Sequence, residues 1–506
     1  MTRSIKFTAL VLVFLWQFVA LAEPQEEEFR AFWADAWHTG FQKPVEVVNL
    51  IRDLRTANCN AVFVQVRKRG DAYFKDSPYD PPAKAVTANF DPLAEVIKLA
   101  HDTNAGPRIE VHAWIVVYPI ATVMHPTKAK SSGPVVLAKF EPKHIFNLHP
   151  EWLSESDASA KRDENQYFLD PGHPGVQKYI FDVVMDIVSR YDLDGIHLDH
   201  LRYPNEHWGY NPVAISRFNS MFNRTGKPAS NDAEWSRFRR NQVTQLLRMV
   251  YLSSIAEKPQ IKVSVSTVTW TPGVTSEAQW TSRTPYTSAL QDWRSWMEEG
   301  ILDINVPMLF FKESSSLFAR AYADWSGYAK DHKYGRQVVI GQAGYLNSGQ
   351  ETCRQLTIAK AVTASGGKAD GVAFYSYAIP SKAEHQRDLF FQTESNNPGL
   401  SVMFGKAAPT PKMQWKTNPT EGHLRGFVTG GNRSNALDGA TVMLTGPVAR
   451  RLATDATGFF GAVDLPPGHY ELVVSFPKCT DRTNVCSIAT GKVTTQVVWL
   501  AGTSRN

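Results

Sequence analysis

The sequence predicts an α/β fold, a closed (β/α)8 TIM barrel followed by a small all-β sandwich, and three observations predict it. Eight short β-branched or aromatic runs alternate with helical patterns from Phe29 to about Ser376, the mark of βα units and a parallel sheet. No glycine-rich phosphate-binding turn follows the first run, which selects a closed barrel over an open doubly wound sheet. After Leu400 the texture changes to short alternating runs punctuated by Gly, Pro, Asp and Asn, the pattern of a sandwich.

The candidate barrel strands are Arg30 to Ala34, Ala61 to Arg67, Arg108 to Ile115, Gly195 to His200, Lys262 to Thr269, Ile304 to Leu309, Val338 to Gln342 and Gly371 to Tyr377. Helical stretches Pro44 to Thr56, Pro92 to Thr103 and Gly175 to Tyr191 precede the second, third and fourth. Asp170-Pro171-Gly172-His173-Pro174 supplies a turn and a cap at the entry to the last of these. Between the third and fourth strands, Tyr118 to Phe168 is expected to form an elaborated loop over the barrel mouth. The barrel is assigned to residues 27–400. A linker follows at 401–420, stiffened by Ala407-Ala408-Pro409-Thr410-Pro411. The sandwich occupies 421–502, with strands at Leu424 to Thr429, Ala440 to Leu444, Gly458 to Val463, His469 to Phe476 and Lys492 to Leu500.

The amino end departs from the globular pattern. Arg3 and Lys6 precede an apolar run from Phe7 to Val19 that ends in Ala20-Leu21-Ala22, the order of a secretory signal peptide, residues 1–22, cleaved after Ala22. A retained anchor is the weaker alternative, because the run is short for a bilayer and Gln17 interrupts it. The expected location is therefore secreted or periplasmic, with no stable membrane insertion after cleavage. The formal charge of +5 falls to +3 without Arg3 and Lys6, too small an excess to suggest a nucleic-acid partner. With 43% apolar and 20% charged residues, neither a disordered chain nor a disulfide-dense scaffold is indicated. Cys479 and Cys486 share one short polar segment and are placed to close a local disulfide in an oxidising compartment, whereas Cys59 and Cys353 read as buried free thiols.

Chemistry concentrates at strand ends. Polar groups at the carboxyl end of a barrel strand face the active-site mouth, and Asp194-Gly195-Ile196-His197-Leu198-Asp199-His200-Leu201-Arg202-Tyr203 ends a short strand in such a cluster. Alternation puts His197 and Asp199 on one face and Ile196 and Leu198 on the other. The polar pair then points into the barrel, where a carboxylate serves as base or nucleophile. The structural alternative is that Asp199 only pairs with Arg202 or Arg67. On the third strand Glu110, His112 and Trp114 share a face, with Glu110 two pleats below the end, equally suited to catalysis or to a buried structural role. Gln65 and Arg67 share a face on the second strand, followed by Asp71 and Tyr73; Asp303 and Asn305 belong to the sixth; Gln342 ends the seventh, with Tyr345 after it. Trp33, Trp37, Trp114, Tyr203, Trp208 and Trp270 near these ends suit platforms for a sugar ring.

As a set and in order, FRAFWADAW, NAVFVQVRKRGDAYF, IEVHAWIVVYP, LDPGHPGVQKYI, DGIHLDHLRYP, QDWRSWMEEGILDINVPM and VIGQAGY resemble successive blocks of the glycosyl hydrolase-like family 10 proteins, which include secreted bacterial glycosidases acting on peptidoglycan glycan strands. The resemblance implies a (β/α)8 fold, hydrolysis of a glycosidic bond, Asp199 as a catalytic group, and Glu110 and His112 lining the site. The chain departs from the pattern at His200, where many relatives place a second acid. Ala440 to Leu444, Thr454 to Phe460 and Leu465 to Tyr470 resemble carboxypeptidase regulatory-like domains, which implies a spacer or docking role.

Most glycosidases use two carboxyl groups. Asp199 is the expected first; Glu110 ranks ahead of Asp71 and Asp303 for the second, with Asp35 and Glu313 behind. Arg67, His112, Trp114, His197, Arg202, Tyr203, Asn305, Gln342 and Tyr345 are the expected substrate-binding residues. The partner is a polysaccharide, with cell-wall glycan foremost, and no cofactor or metal is expected. Two other readings compete. One is a metal-dependent amide or ester hydrolase using His112, His197 and Asp199, opposed by the lack of a His-x-His pair on the first strand. The other is a non-catalytic carbohydrate-binding barrel.

Overall fold

The computed structural model describes residues 26–122, 141–380, 404–431 and 435–502; the signal peptide expected at 1–22 lies outside them. Eight parallel strands close into a barrel. In chain order they are Phe29–Ala34, Ala61–Arg67, Glu110–Val116, Gly195–Asp199, Lys262–Thr267, Ile304–Leu309, Gln337–Ala343 and Gly371–Tyr375. The first closes on the eighth from Phe29 opposite Gly371 to Trp33 opposite Tyr375. All eight expected strands are present, their ends moved by no more than two residues.

The two-residue period of a strand sorts the barrel side chains into two cores. Phe29, Trp33, Phe63, Trp114, Ile304, Val306 and Val339 fill the interior, while Phe32, Val62, Val64, Ile196, Leu198, Val263 and Val265 face the helices. The helix Pro44–Thr56 shows how the outer layer is built. Pro44 opens it, Glu46 and Arg55 complement its two ends, and Val47, Leu50, Ile51 and Leu54 form its buried stripe. Each such side chain contributes about 1.5–3 kcal/mol on burial, and Leu50→Ala is expected to cost about 2–5 kcal/mol. Helix Pro174–Arg190 starts as its sequence predicts: His173 Nδ1 accepts from the Gly175 N–H at 3.1 Å, and Asp170 Oδ1 from the Gly172 N–H at 2.8 Å. The long third-to-fourth connection contains a short antiparallel pair, Pro119–Thr122 with Gln166–Phe168.

The segment expected as a linker is instead packed, over its described residues, across the amino-terminal end of the barrel. Lys406, Ala408 and Pro409 carbonyls accept from Arg30, Asn60 and the Glu28 N–H. Met413 inserts into the interior cluster. Thr410 donates to Glu110 at 2.6 Å, Trp415 Nε1 donates to Asp303 at 2.7 Å, and Lys416 Nζ lies 3.0 Å from the same carboxylate. A proline-rich composition made this stretch look like a spacer; its carbonyls and anchoring side chains make it a plug.

The sandwich has two sheets. Gly422–Gly430 lies between Phe459–Leu465 and Val493–Leu500 and also pairs with Asn435–Ala436; the second sheet runs Arg450–Ala453, Thr441–Thr445, Gly468–Ser475, Arg482–Ile488. Leu424, Val428, Val442, Leu444, Phe460, Leu472, Val474, Val498 and Leu500 form its core. The predicted Cys479–Cys486 disulfide is not formed. Cys486 sits within the strand Arg482–Ile488, opposite Tyr470, while Cys479 lies in the preceding turn, bridged to Gly502; both are free, as is Cys59. Cys59 is buried as expected, and Cys353 is only half-buried. The sandwich docks on the barrel through Arg217 with Asp438 at 2.7 Å and Arg336 with Asp464 at 2.6 Å. Gly461 permits close contact there, since a Cβ would meet Leu252 of helix Ala233–Glu257 at 2.3 Å.

Candidate active site

A cavity of about 370 Å³ opens at the carboxyl ends of the barrel strands. Trp33, Trp114, Asp199, Ser266, Met308 and Tyr375 reach it from strands; Trp37, His200, Arg202, Val268, Thr269, Trp270, Phe310, Phe311 and Tyr345 come from the loops that follow. Aromatic rings therefore form most of its wall, and Asp199 is the one carboxylate lining it among the described residues.

Asp199 is held by two N–H donors, one on each oxygen. Trp114 stands on the adjacent third strand, in register with His197, and its Nε1 donates to Asp199 Oδ2 at 3.1 Å. The His200 backbone N–H donates to Oδ1 at 2.7 Å. That second bond needs the chain to turn back sharply at the strand end, and His200 adopts a left-handed φ of 50°, uncommon for a residue with a Cβ. No Lys, Arg or His side-chain nitrogen among the described residues lies within 4.0 Å of the Asp199 carboxylate, so the ion pair with Arg202 or Arg67 is absent.

Beneath the cavity His197 is fully buried. Its Nδ1 lies 2.8 Å from Ser264 Oγ, which donates onward to the Ile196 carbonyl; Nε2 accepts from Trp33 Nε1 at 3.0 Å. This pattern assigns the proton to Nδ1, consistent with burial and the nearby His112 holding the imidazole well below its usual titration range. His197 thereby anchors the Trp33 wall. Gly341 leaves room for that wall, because a Cβ there would meet the Trp33 ring at 3.0 Å and the Pro307 carbonyl at 2.8 Å. Burial also pushes the His200 imidazole down, to about 4, against the pull of Asp199; neutral at physiological pH, it can accept at Nδ1 from Arg202 Nη2, 3.3 Å away. The Tyr375 phenol is pushed up by burial and by Asp35 and Asp199 together.

Of the expected site residues, Asp199, Trp114, Arg202 and Tyr345 line the cavity. Asp71 belongs to the rim loop after the second strand, where its Oδ1 accepts from the Arg69 N–H at 2.8 Å; Lys68 and Arg69 of the same loop lie over the Trp37 ring. The others are elsewhere, for identifiable reasons. Glu110 begins its strand rather than ending it, and at the amino-terminal end it pairs with Lys262 Nζ at 2.6 Å and His112 at 3.2 Å. Asp303 precedes its strand and is bound by Trp415, Lys416 and the Val263 N–H at the same end. His112 packs inside the barrel against Phe29 and Phe63. Arg67 is sealed by Asp80 at 2.7 Å and by Tyr179 at 3.2 Å. Asn305 and Gln342 have outward parity: they meet Thr267 at 2.6 Å and the Tyr322 hydroxyl at 2.9 Å. Tyr203 and Trp208 are core residues. His197 lies under the site rather than in it. His112, His197 and Asp199 form no metal-ligand set; none of three or more such groups occurs among the described residues.

Tyr375, Phe310, Met308, Ser266 and His200 were not foreseen as lining residues. Parity was the available signal: Tyr375 shares the inward face with Ala373 and sits in register with Trp33, and Ser266 shares it with Ser264. Asp35, which ranks behind the other acids in the sequence, directly follows the first strand and is buried. Its Oδ1 accepts from the Trp37 and His38 N–H groups at 2.9 and 3.0 Å, while Oδ2 has no partner.

The site is thus one oriented carboxylate in the aromatic mouth of a closed (β/α)8 barrel. The model of the glycosyl hydrolase-like 10 family matches residues 28–351, and the chain belongs to that family. Residues 423–501 match the carboxypeptidase regulatory-like domain. The chain is similar to glycosyl hydrolase YngK of Bacillus subtilis, 28% identical over 339 residues that cover 62% of this chain and 60% of the relative. It is also similar to glycosyl hydrolase DigH of Escherichia coli K12, 25% identical over 288 residues, covering 53% and 58%. It thus spans about 60% of the length of these relatives. Among solved structures it is similar to α-L-fucosidase isoenzyme 2 from Paenibacillus thiaminolyticus, with TM-score 0.47, 14% identity and coverage of 81% and 54%. A second is the PgaB (BpsB) glycoside hydrolase domain from Bordetella bronchiseptica, with TM-score 0.46, 13% identity and coverage of 73% and 100%.

Proposed function

We propose that this protein is a glycosidase that acts outside the cytoplasm on a polysaccharide, with bacterial cell-wall glycan strands as its substrate. The observation that carries the reading is Asp199: a carboxylate at the floor of an aromatic-walled cavity, oriented on both oxygens by N–H donors and left without a cation. Aromatic faces suit the C–H faces of a sugar. A carboxylate fixed among them is placed to act at a glycosidic carbon or at its leaving oxygen. The second carboxyl is assigned to Asp71, whose rim loop is open enough to exchange protons with solvent; Asp35, sealed behind the wall, is the other candidate. Membership of a family whose relatives are named glycosyl hydrolases supports the reaction class. The amino-terminal sequence pattern supports the location.

That Asp199 is the one carboxylate on the cavity wall among the described residues also favours a second reading, a barrel that binds glycan without cutting it. The deciding experiment incubates the full chain with peptidoglycan, with peptidoglycan stripped of its stem peptides, and with plant and capsular polysaccharides, and weighs the products. Release of shorter saccharides by the wild type, abolished in Asp199→Asn, is the expected result. Retention of glycan with no product from any of them supports the binding reading and overturns hydrolysis.

A further inference from the structure

Resting on the reading of the mouth as a glycan site, we propose that Arg202 selects a substrate whose sugar carries a carboxylate, binding that group beside Asp199. An arginine offers five N–H donors in a flat fork and is the usual partner of a carboxylate taken up bidentately. Arg202 lines the cavity with most of that capacity unused. Its Nη2 has the His200 Nδ1 acceptor, while its Nε is buried without any partner. Asp199 and Asp163 influence it through space, yet no carboxylate among the described residues is within 4.0 Å of its nitrogens. A guanidinium left without an anion, its Nε sealed from water, costs stability, and a carboxylate arriving at the nitrogens that face the cavity would return part of it.

The surroundings fix where that carboxylate would sit. The guanidinium carbon lies 5.3 Å from the centre of the Trp270 ring, so the indole supports one face of the fork, as arginine favours. His200 secures one edge, and because it is neutral it does so without neutralising the charge. The left-handed turn at His200 separates Asp199 at the strand end from Arg202 in the following loop, which puts a reacting anion and a recognising cation on one wall. Lys68 and Arg69 over Trp37, set against Asp71 on the same loop, leave that rim with one net positive charge, which partly offsets the repulsion an anionic sugar would meet from Asp199.

Such a group is presented by a hexuronic acid and by an amino sugar bearing a lactyl ether, and the test separates these two. Asp199→Asn in the full chain is titrated calorimetrically with oligogalacturonate and with peptide-free peptidoglycan glycan, each as the free acid and as the methyl ester. The expected result is at least about ten-fold tighter binding of the free acid in one of the two series, a preference lost in the Arg202→Gln double variant and partly kept in Arg202→Lys. Equal affinity for acid and ester, a preference that survives Arg202→Gln, or no binding of either acid overturns the proposal. Cleavage of glycan by the wild type with no acid preference leaves the hydrolytic reading standing while this one falls. A preference without cleavage does the reverse.

Discussion

The two ends of the barrel present the same pair of groups, an aspartate held by a tryptophan indole, and use it oppositely. At the amino-terminal end Trp415 donates to Asp303 at 2.7 Å; at the mouth Trp114 donates to Asp199 at 3.1 Å. Asp303 is further bound by Lys416 at 3.0 Å, by the Val263 N–H at 2.9 Å and by the Tyr251 hydroxyl at 3.2 Å, and is fully buried. Asp199 has one further donor and faces a cavity. A carboxylate whose lone pairs are all taken and whose charge is neutralised is structural; one that is oriented but unneutralised retains capacity to react. Residue type does not separate the two, whereas the count of partners does.

The sharpest way to break this comparison is to neutralise each acid in turn. Asp199→Asn is expected to lower glycan hydrolysis by about 10²–10⁴-fold, the range for a positioned acid or base, and to leave the denaturant midpoint nearly unmoved. Asp303→Asn is expected to cost about 3–5 kcal/mol of stability, since it strands the Lys416 ammonium, while the folded fraction keeps its activity. Activity assays and urea unfolding on both variants check this. If the Asp303 variant loses activity without losing stability, the division between the ends is wrong.

The barrel was legible because parity and spacing are local: eight strands and the helix Pro44–Thr56 follow from apolar period alone. The sandwich was legible only where apolar alternation is strong. Arg450–Ala453 and Arg482–Ile488 escaped because they flank their sheet with exposed arginines and threonines, so their pairing is set by neighbours rather than by their own pattern. The site was half legible. Asp199, Trp114, Arg202 and Tyr345 follow from strand-end position, but the sequence does not mark which end of a strand an acid occupies to within a few residues. Glu110 and Asp303 were misplaced for that reason. It also cannot show that a proline-rich stretch more than a hundred residues downstream of Asp303 returns to satisfy it.

Glu110 sharpens the comparison through pH. Burial alone would push its carboxyl up, but Lys262 and His112 beside it hold it well below the usual carboxylate range. A depressed folded-state value means a stabilising contribution that is present above the unfolded value of about 4.3 and is lost as pH falls below it. Glu110→Gln should therefore unfold more easily than the wild type at neutral pH, with the gap beginning to narrow by about pH 3 and closing only as pH falls further through the depressed folded-state value. Chemical denaturation at pH 7, 5 and 3 measures it; a gap that is constant with pH would show that the ion pair is not its source.

The smallest effects come from the two indoles, and they test the comparison most directly because the same atom is removed at each end. In Trp114→Phe the lost donor faces the cavity, so water can take its place at Asp199 Oδ2 and stability should fall by no more than about 1 kcal/mol. The carboxylate, now free to rotate, should lose roughly ten-fold in turnover with little change in KM, the size of one ordinary hydrogen bond. In Trp415→Phe the lost donor belonged to a fully buried carboxylate, so the unmet lone pair should cost about 1–3 kcal/mol and leave turnover per folded molecule unchanged. Steady-state kinetics and thermal unfolding on the pair give a crossed pattern, one variant moving kcat and the other Tm. If both variants move the same quantity, the indole at the mouth is packing rather than positioning, and Asp199 is oriented by the His200 N–H alone.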